Sequence, residues 1–240
     1  MADTKKKINW KIVFNWFVFI TLIASLIFVS VAMYFAPSLE DRADPYQRVK
    51  GDYVLMLSQC VLGIFAMLLP GFLRKRVDIQ IPSTMLVLYA LFLYCAIYLG
   101  EVRSFYYTVP HWDTMLHTFS GAMLGALGFS FITLLNRTDK VPLNLSPAFV
   151  AAFAFCFALA LGVVWEIYEF SADLLMGTNM QKFGTEAGEL FLGQAALMDT
   201  MKDLIVDTLG ALVISVVGYI SLRHKKGWVE KLLVRKGKKH

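Results

Sequence analysis

The 240-residue chain is 58% hydrophobic and 17% charged, with a mean hydropathy of +0.59, whereas a soluble domain carries about 25% charged residues. Its apolar blocks are long enough to cross a hydrocarbon core of roughly 30 Å, which takes about 20 residues, so a soluble globular domain is excluded. An all-α polytopic membrane bundle of six spans is predicted, and the net charge of +5 matters less than where the charges fall.

The first apolar block, 12–36, follows Lys5, Lys6, Lys7 and Lys11. It exceeds the 7–15-residue core of a signal peptide, and SVA at Ser30–Ala32 is a poor cleavage site, so it reads as a retained span. The second span, 52–72, is closed by Pro70 and Gly71 and followed by Arg74, Lys75 and Arg76. The third covers 82–102. The fourth, 114–135, opens in HWDTMLHTFSG, and the fifth, 147–173, ends in WEIYEFSAD. Pro82, Pro142 and Pro147 stand near span starts, where proline is tolerated. After the only long connection, Leu174–Met198, the sixth span (200–222) opens in MDTMKDLIVDTLGA, and residues 223–240 form a basic tail. The chain thus reads as a single integral membrane domain. Cys60, Cys95 and Cys156 lie inside apolar blocks as small buried hydrophobes, without the spacing of a disulfide frame or zinc knuckle. Trp10, Trp112 and Trp228 fall at the expected interfaces.

With a cytoplasmic N-terminus, the inner segments hold 17 Lys and Arg and the outer segments six, namely Arg42, Arg48, Lys50, Arg103, Lys182 and Lys202. The positive-inside rule therefore predicts both termini in the cytoplasm. Acidic residues run the other way. Only Asp3, Asp78, Asp139 and Glu230 are inner, leaving 14 carboxylates in the outer half against its six basic side chains.

Three spans bring acids and histidines to that outer side. In span four, Asp113 and His117 are about 40° apart on one helical face. In span five, Glu166, Glu169 and Asp173 form a second stripe, and in span six Asp199, Asp203 and Asp207 form a third. Depths agree, because Asp207 lies about 12 Å below Asp199 and Glu166 about 10 Å below Asp173. Asp113 and Asp199 occupy positions where an N-cap is wanted. His111, Asp173 and Asp199 are expected at a wet rim. Glu166 and Glu169 sit near a helix C-terminus, where the dipole disfavours negative charge, and His117 and Asp207 are too deep to be caps. Charges at such depth cost roughly 2.5–3.5 kcal/mol and face a cavity or partner. A shared site of His117, Glu166, Glu169, Asp203 and Asp207, supported by Asp113, is therefore expected to hold a divalent cation. Mixed carboxylate and imidazole donors suit Zn, Mn or Fe, and all-oxygen sites suit Mg. Without a cation, repulsion would make some carboxyls retain protons. Gly121, Gly125 and Gly210 are suited to close helix packing near the site.

The ordered set WDTMLHTFSG, WEIYEFSAD and DTMKDLIVDTLGA resembles the YjdF-like family of uncharacterised bacterial multi-pass inner-membrane proteins. The matching positions are Asp113, His117, Gly121, Glu166, Glu169, Asp203, Asp207, Gly210 and Ala211, within residues 105–215. Thr118 intervenes before Phe119, and Phe170 stands where a tryptophan often follows the second Glu. The resemblance implies a bacterial cytoplasmic membrane and no particular chemistry.

Three functions are compatible with these residues: a membrane-embedded metal-dependent hydrolase, a proton- or cation-coupled small-solute transporter, or a bundle whose polar layer only supports a partner. The expected partners are the bilayer and anionic lipid at the basic tail. The tail is too short to suggest nucleic acid, and oligomeric state is not legible.

Overall fold

A computed structural model describes residues 8–44, 47–77, 79–136, 145–185, 187–230 and 232–236. Asp3, Lys5, Lys6, Lys7, Asp78, Arg137, Asp139, Lys140, Glu186, Lys231, Lys238 and Lys239 of the charge count, and Pro142, lie outside them. The regular structure of the described residues is helical apart from one two-stranded pairing and an isolated Gly184–Leu190 bridge. Its helices are α1 (Trp10–Phe35), α2 (Lys50–Val77), α3 (Ser83–Leu93, continuing as a π-helix over Tyr94–Val102), α4 (Phe105–Thr108), α5 (Trp112–Asn136), α6 (Pro147–Met176) and α7 (Gln194–Arg223). All but α4 are long and apolar enough to cross a membrane.

Local chemistry sets several helix ends. Asn9 caps α1, its side chain accepting from the Lys11 N–H at 3.2 Å. Ser146 caps α6 by accepting from the Phe149 N–H, with Pro147 in the first turn, where its missing N–H costs nothing. Gly177 ends α6 at φ +65°, a left-handed conformation that glycine adopts without Cβ strain.

Two expected boundaries move. Pro70 and Gly71 do not close the second span, since α2 runs on to Val77 with Pro70 inside it. Proline leaves the carbonyl four residues earlier without its helical donor. The Tyr89 hydroxyl, from α3, supplies one instead, donating to the Ala66 carbonyl at 2.9 Å. The sixth span begins at Gln194 rather than 200, so Asp199 lies inside the helix and is not its cap. Nor are all three cysteines buried: Cys60 is, Cys95 is half-buried, and Cys156 is exposed on the lipid-facing surface.

The helices form two packed groups. Val18, Leu22, Val29, Met56, Cys60, Ala90 and Leu93 make the core between α1, α2 and α3. The second group, α5 to α7, is drawn close by small residues. A Cβ on Gly210 would come within 2.3 Å of the Thr118 carbonyl oxygen, and one on Gly121 within 2.5 Å of the Asp207 carbonyl oxygen. Backbone approach of this kind is how membrane helices gain dispersion energy in the absence of a hydrophobic drive. At the end of the bundle away from the acidic stripes, Phe129 (1% exposed) fills the interior, its ring seated against Gly218.

The basic tail is not a free extension. Val229, Leu233 and Val234 are buried, the Val234 N–H donates to Ser130 Oγ at 3.0 Å, and Arg235–Lys236 (β2) pairs antiparallel with Ile79–Gln80 (β1). With Lys11 Nζ donating to Ser83 Oγ at 2.8 Å, the start of α1, the α2–α3 junction and the tail gather at one end. The acidic stripes lie at the other.

Candidate metal centre

Helical periodicity delivers the three stripes to one interior layer between α5, α6 and α7. His117, Glu166, Glu169, Asp203 and Asp207 are all buried, and Asp113 and Asp199 are partly so, at 15% and 19% side-chain exposure.

His117 organises the layer. Its Nδ1 lies 3.3 Å from Asp207 Oδ2, and Asp207 is itself positioned: Ser120 Oγ lies 3.2 Å from its Oδ1, and Gly162 makes room for it, since a Cβ there would come within 2.9 Å of Oδ2. An ionised carboxylate only accepts, so Asp207 fixes the proton of a neutral ring on Nδ1 and leaves the lone pair on Nε2. Nε2 faces two carboxylate oxygens, Asp113 Oδ1 at 3.7 Å and Asp203 Oδ2 at 3.8 Å. These separations are too long for hydrogen bonds. They are close to the edge of about 3.4 Å that tetrahedral bonds of ~2.1 Å set between two ligands of one ion. One donor atom from each of Asp113, His117 and Asp203 lies within 4.8 Å of the others. Asp203 Oδ1, buried, has no hydrogen-bond partner among the described residues.

The other expected ligands stand around this triad. Glu169 acts electrostatically on Asp113, His117, Lys182 and Glu166. Both Glu166 oxygens are buried without a hydrogen bond among the described residues. The Thr200 hydroxyl is near enough to act on Glu166, but it does not meet hydrogen-bond geometry with it and accepts instead from Gln181 Nε2 at 3.0 Å.

Two expected rim residues behave differently. Asp173 is buried, not solvated. Its carboxylate accepts from Thr178 Oγ1 and the Met180 N–H at 2.7 Å each, and from the Gln181 N–H at 2.9 Å, so it anchors the loop that leaves α6. Asp199 faces the site, with its carboxylate on Lys182. His111 is exposed at the surface, at φ +60°.

The residue that sequence reasoning passed over is Lys182, counted there only as an outer cation. Its Nζ lies 2.6 Å from Asp113 Oδ2 and 3.4 Å from Asp199 Oδ2, and 4.8 Å above the Tyr106 ring. Burial opposes its charge, but the carboxylates of Asp113, Asp199 and Glu169 outweigh burial and hold its pKa above the ordinary lysine value. The Tyr106 phenol is pushed well above its usual range by burial and by the charges of Glu101, Asp113, Glu169 and Asp203, so it stays a donor. Glu101, on the π-helical part of α3, acts on Lys182, Asp113 and Arg48. A usable signal existed: Lys182 is the sole basic residue in Leu174–Met198, the longest connection, and it faces an acidic surplus.

Comparison with known proteins gives a family. The family model described as predicted membrane protein (DUF2238) matches residues 14–224, which contain the YjdF-like pattern. A Thermotoga maritima protein, named only as an uncharacterized protein, is 26% identical over 163 residues, covering 66% of this chain and 76% of that one. No solved structure matches.

Proposed function

The chain belongs to the DUF2238 family of predicted membrane proteins, and we propose that its α5–α7 bundle is a membrane-embedded divalent-metal centre with hydrolytic chemistry. The observation that carries this reading is the division of His117 between its two sides. Asp207 takes Nδ1, and Nε2 is aimed between Asp113 and Asp203. Nε2 set between two carboxylates calls for positive charge at that point, which a proton on Nε2 or a bound cation would supply. The donor set suits Zn, Mn or Fe, and the Asp207–His117 pair has the form of an outer carboxylate that orients a ligating imidazole.

Asp113, His117 and Asp203 would hold the ion, and three protein ligands are the number that leaves a zinc site open to water or substrate. An ion so held supplies Lewis-acid activation of water or of a carbonyl or phosphoryl group. Of the remaining residues, Glu166 and Glu169 are acceptors for a proton, Tyr106 is a donor, and Lys182 neutralises Asp113 and Asp199 at the approach from the α6–α7 loop. Among the described residues, Phe129 packed against Gly218 fills the bundle interior at the opposite end. That favours an enzyme approached from one side over a cation- or proton-coupled transporter, and the Glu166 oxygens and Asp203 Oδ1, which have no hydrogen bond among the described residues, argue against a purely supporting polar layer. The 17-to-6 asymmetry of basic residues supports cytoplasmic termini and an extracytoplasmic site, and the resemblance to YjdF-like proteins implies a bacterial inner membrane.

The test is a hydrolysis screen. Purified protein reconstituted with Zn²⁺ or Mn²⁺ is offered bilayer-borne esters, amides and phosphodiesters. Hydrolysis that requires the metal and disappears in Asp203→Asn supports the reading. No metal-dependent turnover across the panel contradicts the hydrolytic part.

A further inference from the structure

A second site lies in the other helix group, at the same end of the molecule as the acidic layer but on the lipid-facing side. We propose that the groove between α1 and the ends of α2 and α3 binds an anionic phospholipid, with its phosphate on Arg48 and Arg103 and an acyl chain along α1. The groove encloses about 710 Å³. Its long wall is the stripe Phe17, Ile20, Ala24 and Phe28, which at 1.5 Å per residue runs about 16 Å, close to one leaflet of a roughly 30 Å core.

The wall is apolar in fact as well as in composition. Its two hydroxyl residues use their own helix as acceptor: Thr21 Oγ1 donates to the Phe17 carbonyl at 2.9 Å, and Ser25 Oγ to the Thr21 carbonyl at 2.8 Å. On the α1 side, neither hydroxyl has a proton left to donate to a solute; across the groove stands Tyr98. The charged end differs. Arg48 precedes α2 and Arg103 follows α3, so both stand at the ends of their spans, as headgroup contacts would. Arg48 donates to Ser104 Oγ, which fixes its direction. Arg103 is exposed and forms no side-chain hydrogen bond or ion pair among the described residues.

Charge complementarity selects the occupant. The outer segments carry six basic residues against 14 acidic ones, yet two of the six line an apolar groove while buried Glu166 has no hydrogen-bonded partner among the described residues. Two guanidiniums over a leaflet-length apolar channel fit a phosphate ester carrying a chain. Arginine binds phosphate in bidentate geometry, and basic pockets between membrane helices are known lipid headgroup sites. This site does not depend on the metal centre.

The experiment is native mass spectrometry of the full-length protein in mixed micelles with equal phosphatidylglycerol and phosphatidylcholine. The wild type is expected to retain phosphatidylglycerol preferentially. Arg103→Gln, which removes no side-chain hydrogen bond or ion pair among the described residues, should weaken that preference about fivefold, and Arg48→Gln/Arg103→Gln should abolish it, at roughly one such factor per cation. Ala24→Trp, which blocks the channel and keeps both charges, should also lower retention. Lys75→Gln/Arg76→Gln, at the far end of α2, should not. Equal retention of both lipids by the wild type, an unchanged preference in Arg103→Gln, or an unchanged Ala24→Trp would each overturn the proposal. Displacement of the lipid by millimolar glycerol phosphate would also overturn it, since the chain would then contribute nothing.

Discussion

His117 points Nδ1 at Asp207 Oδ2, 3.3 Å away, and thereby turns Nε2 toward Asp113 and Asp203. Asp203 and Asp207 of α7 thus have different tasks although they share one helical stripe. Asp203→Asn removes a donor atom of the proposed centre and should eliminate metal retention. Asp207→Asn leaves the donors in place but loses the orienting carboxylate, so affinity should fall by about 10–100-fold. Metal-binding isotherms of the two variants check this; equal losses would contradict the division of roles.

Gly162 leaves space for the Asp207 carboxylate on α6. In Gly162→Ala the new Cβ would meet Asp207 Oδ2 at 2.9 Å, so the carboxylate must shift and metal affinity should fall. Gly210→Ala places a Cβ 2.3 Å from a backbone oxygen of α5, which cannot yield as a side chain can. That change should cost about 1–3 kcal/mol or more as an overpacking defect. Thermal unfolding in detergent should show the larger loss for Gly210→Ala, and metal binding the more specific loss for Gly162→Ala.

Much of this layer was legible in the sequence because one helical period fixes which acids share a face. Glu166 with Glu169, Asp203 with Asp207, and Asp113 with His117 follow from spacing alone, and charge asymmetry set their relative depth. What was not legible depends on contacts between distant segments. Lys182 reaches Asp113 because Asp173 holds the loop through three hydrogen bonds, and no periodicity describes a loop. Asp199 looked like a cap because polarity rises there, yet the helix starts at Gln194, after Gly193 at φ +59°. Pro70 looked like a terminator because its rescuing donor, Tyr89, comes from another span.

That rescue is testable by a double-mutant cycle. Tyr89→Phe strands the half-buried Ala66 carbonyl and should destabilise the protein by about 1 kcal/mol. In a Pro70→Ala background the helix regains its own N–H donor to Ala66, so the same change should cost much less. Equal costs in both backgrounds would show that the hydroxyl is not the compensating group.

Lys182 sets a pH expectation. Its pKa is raised in the folded state, so its contribution is fully present below the unfolded lysine value, near 10.4, and is lost as pH rises through the folded value. The stability difference between wild type and Lys182→Met should therefore be flat from pH 6 to 9 as far as the lysine is concerned, at about 2–3 kcal/mol. That is less than the ~3–5 kcal/mol of a fully buried broken pair, because the side chain retains 22% exposure. Above pH 10.5 the difference should shrink. A difference that vanished between pH 7 and 9 would mean the ammonium is not held by Asp113 and Asp199. With a divalent ion added, Lys182→Met should bind more tightly than wild type, since a neighbouring positive charge is gone.

The most direct test of the metal centre is elemental analysis of the full-length protein purified in detergent without chelating resin, beside His117→Ala and Asp203→Asn. The expected result is one zinc-, manganese- or iron-class ion per chain in the wild type and none in either variant, with all three proteins folded by circular dichroism. A wild type that carries no stoichiometric metal and shows no change in melting temperature on adding these ions would contradict the account. It would leave the polar layer as a set of protonated, hydrogen-bonded carboxyls.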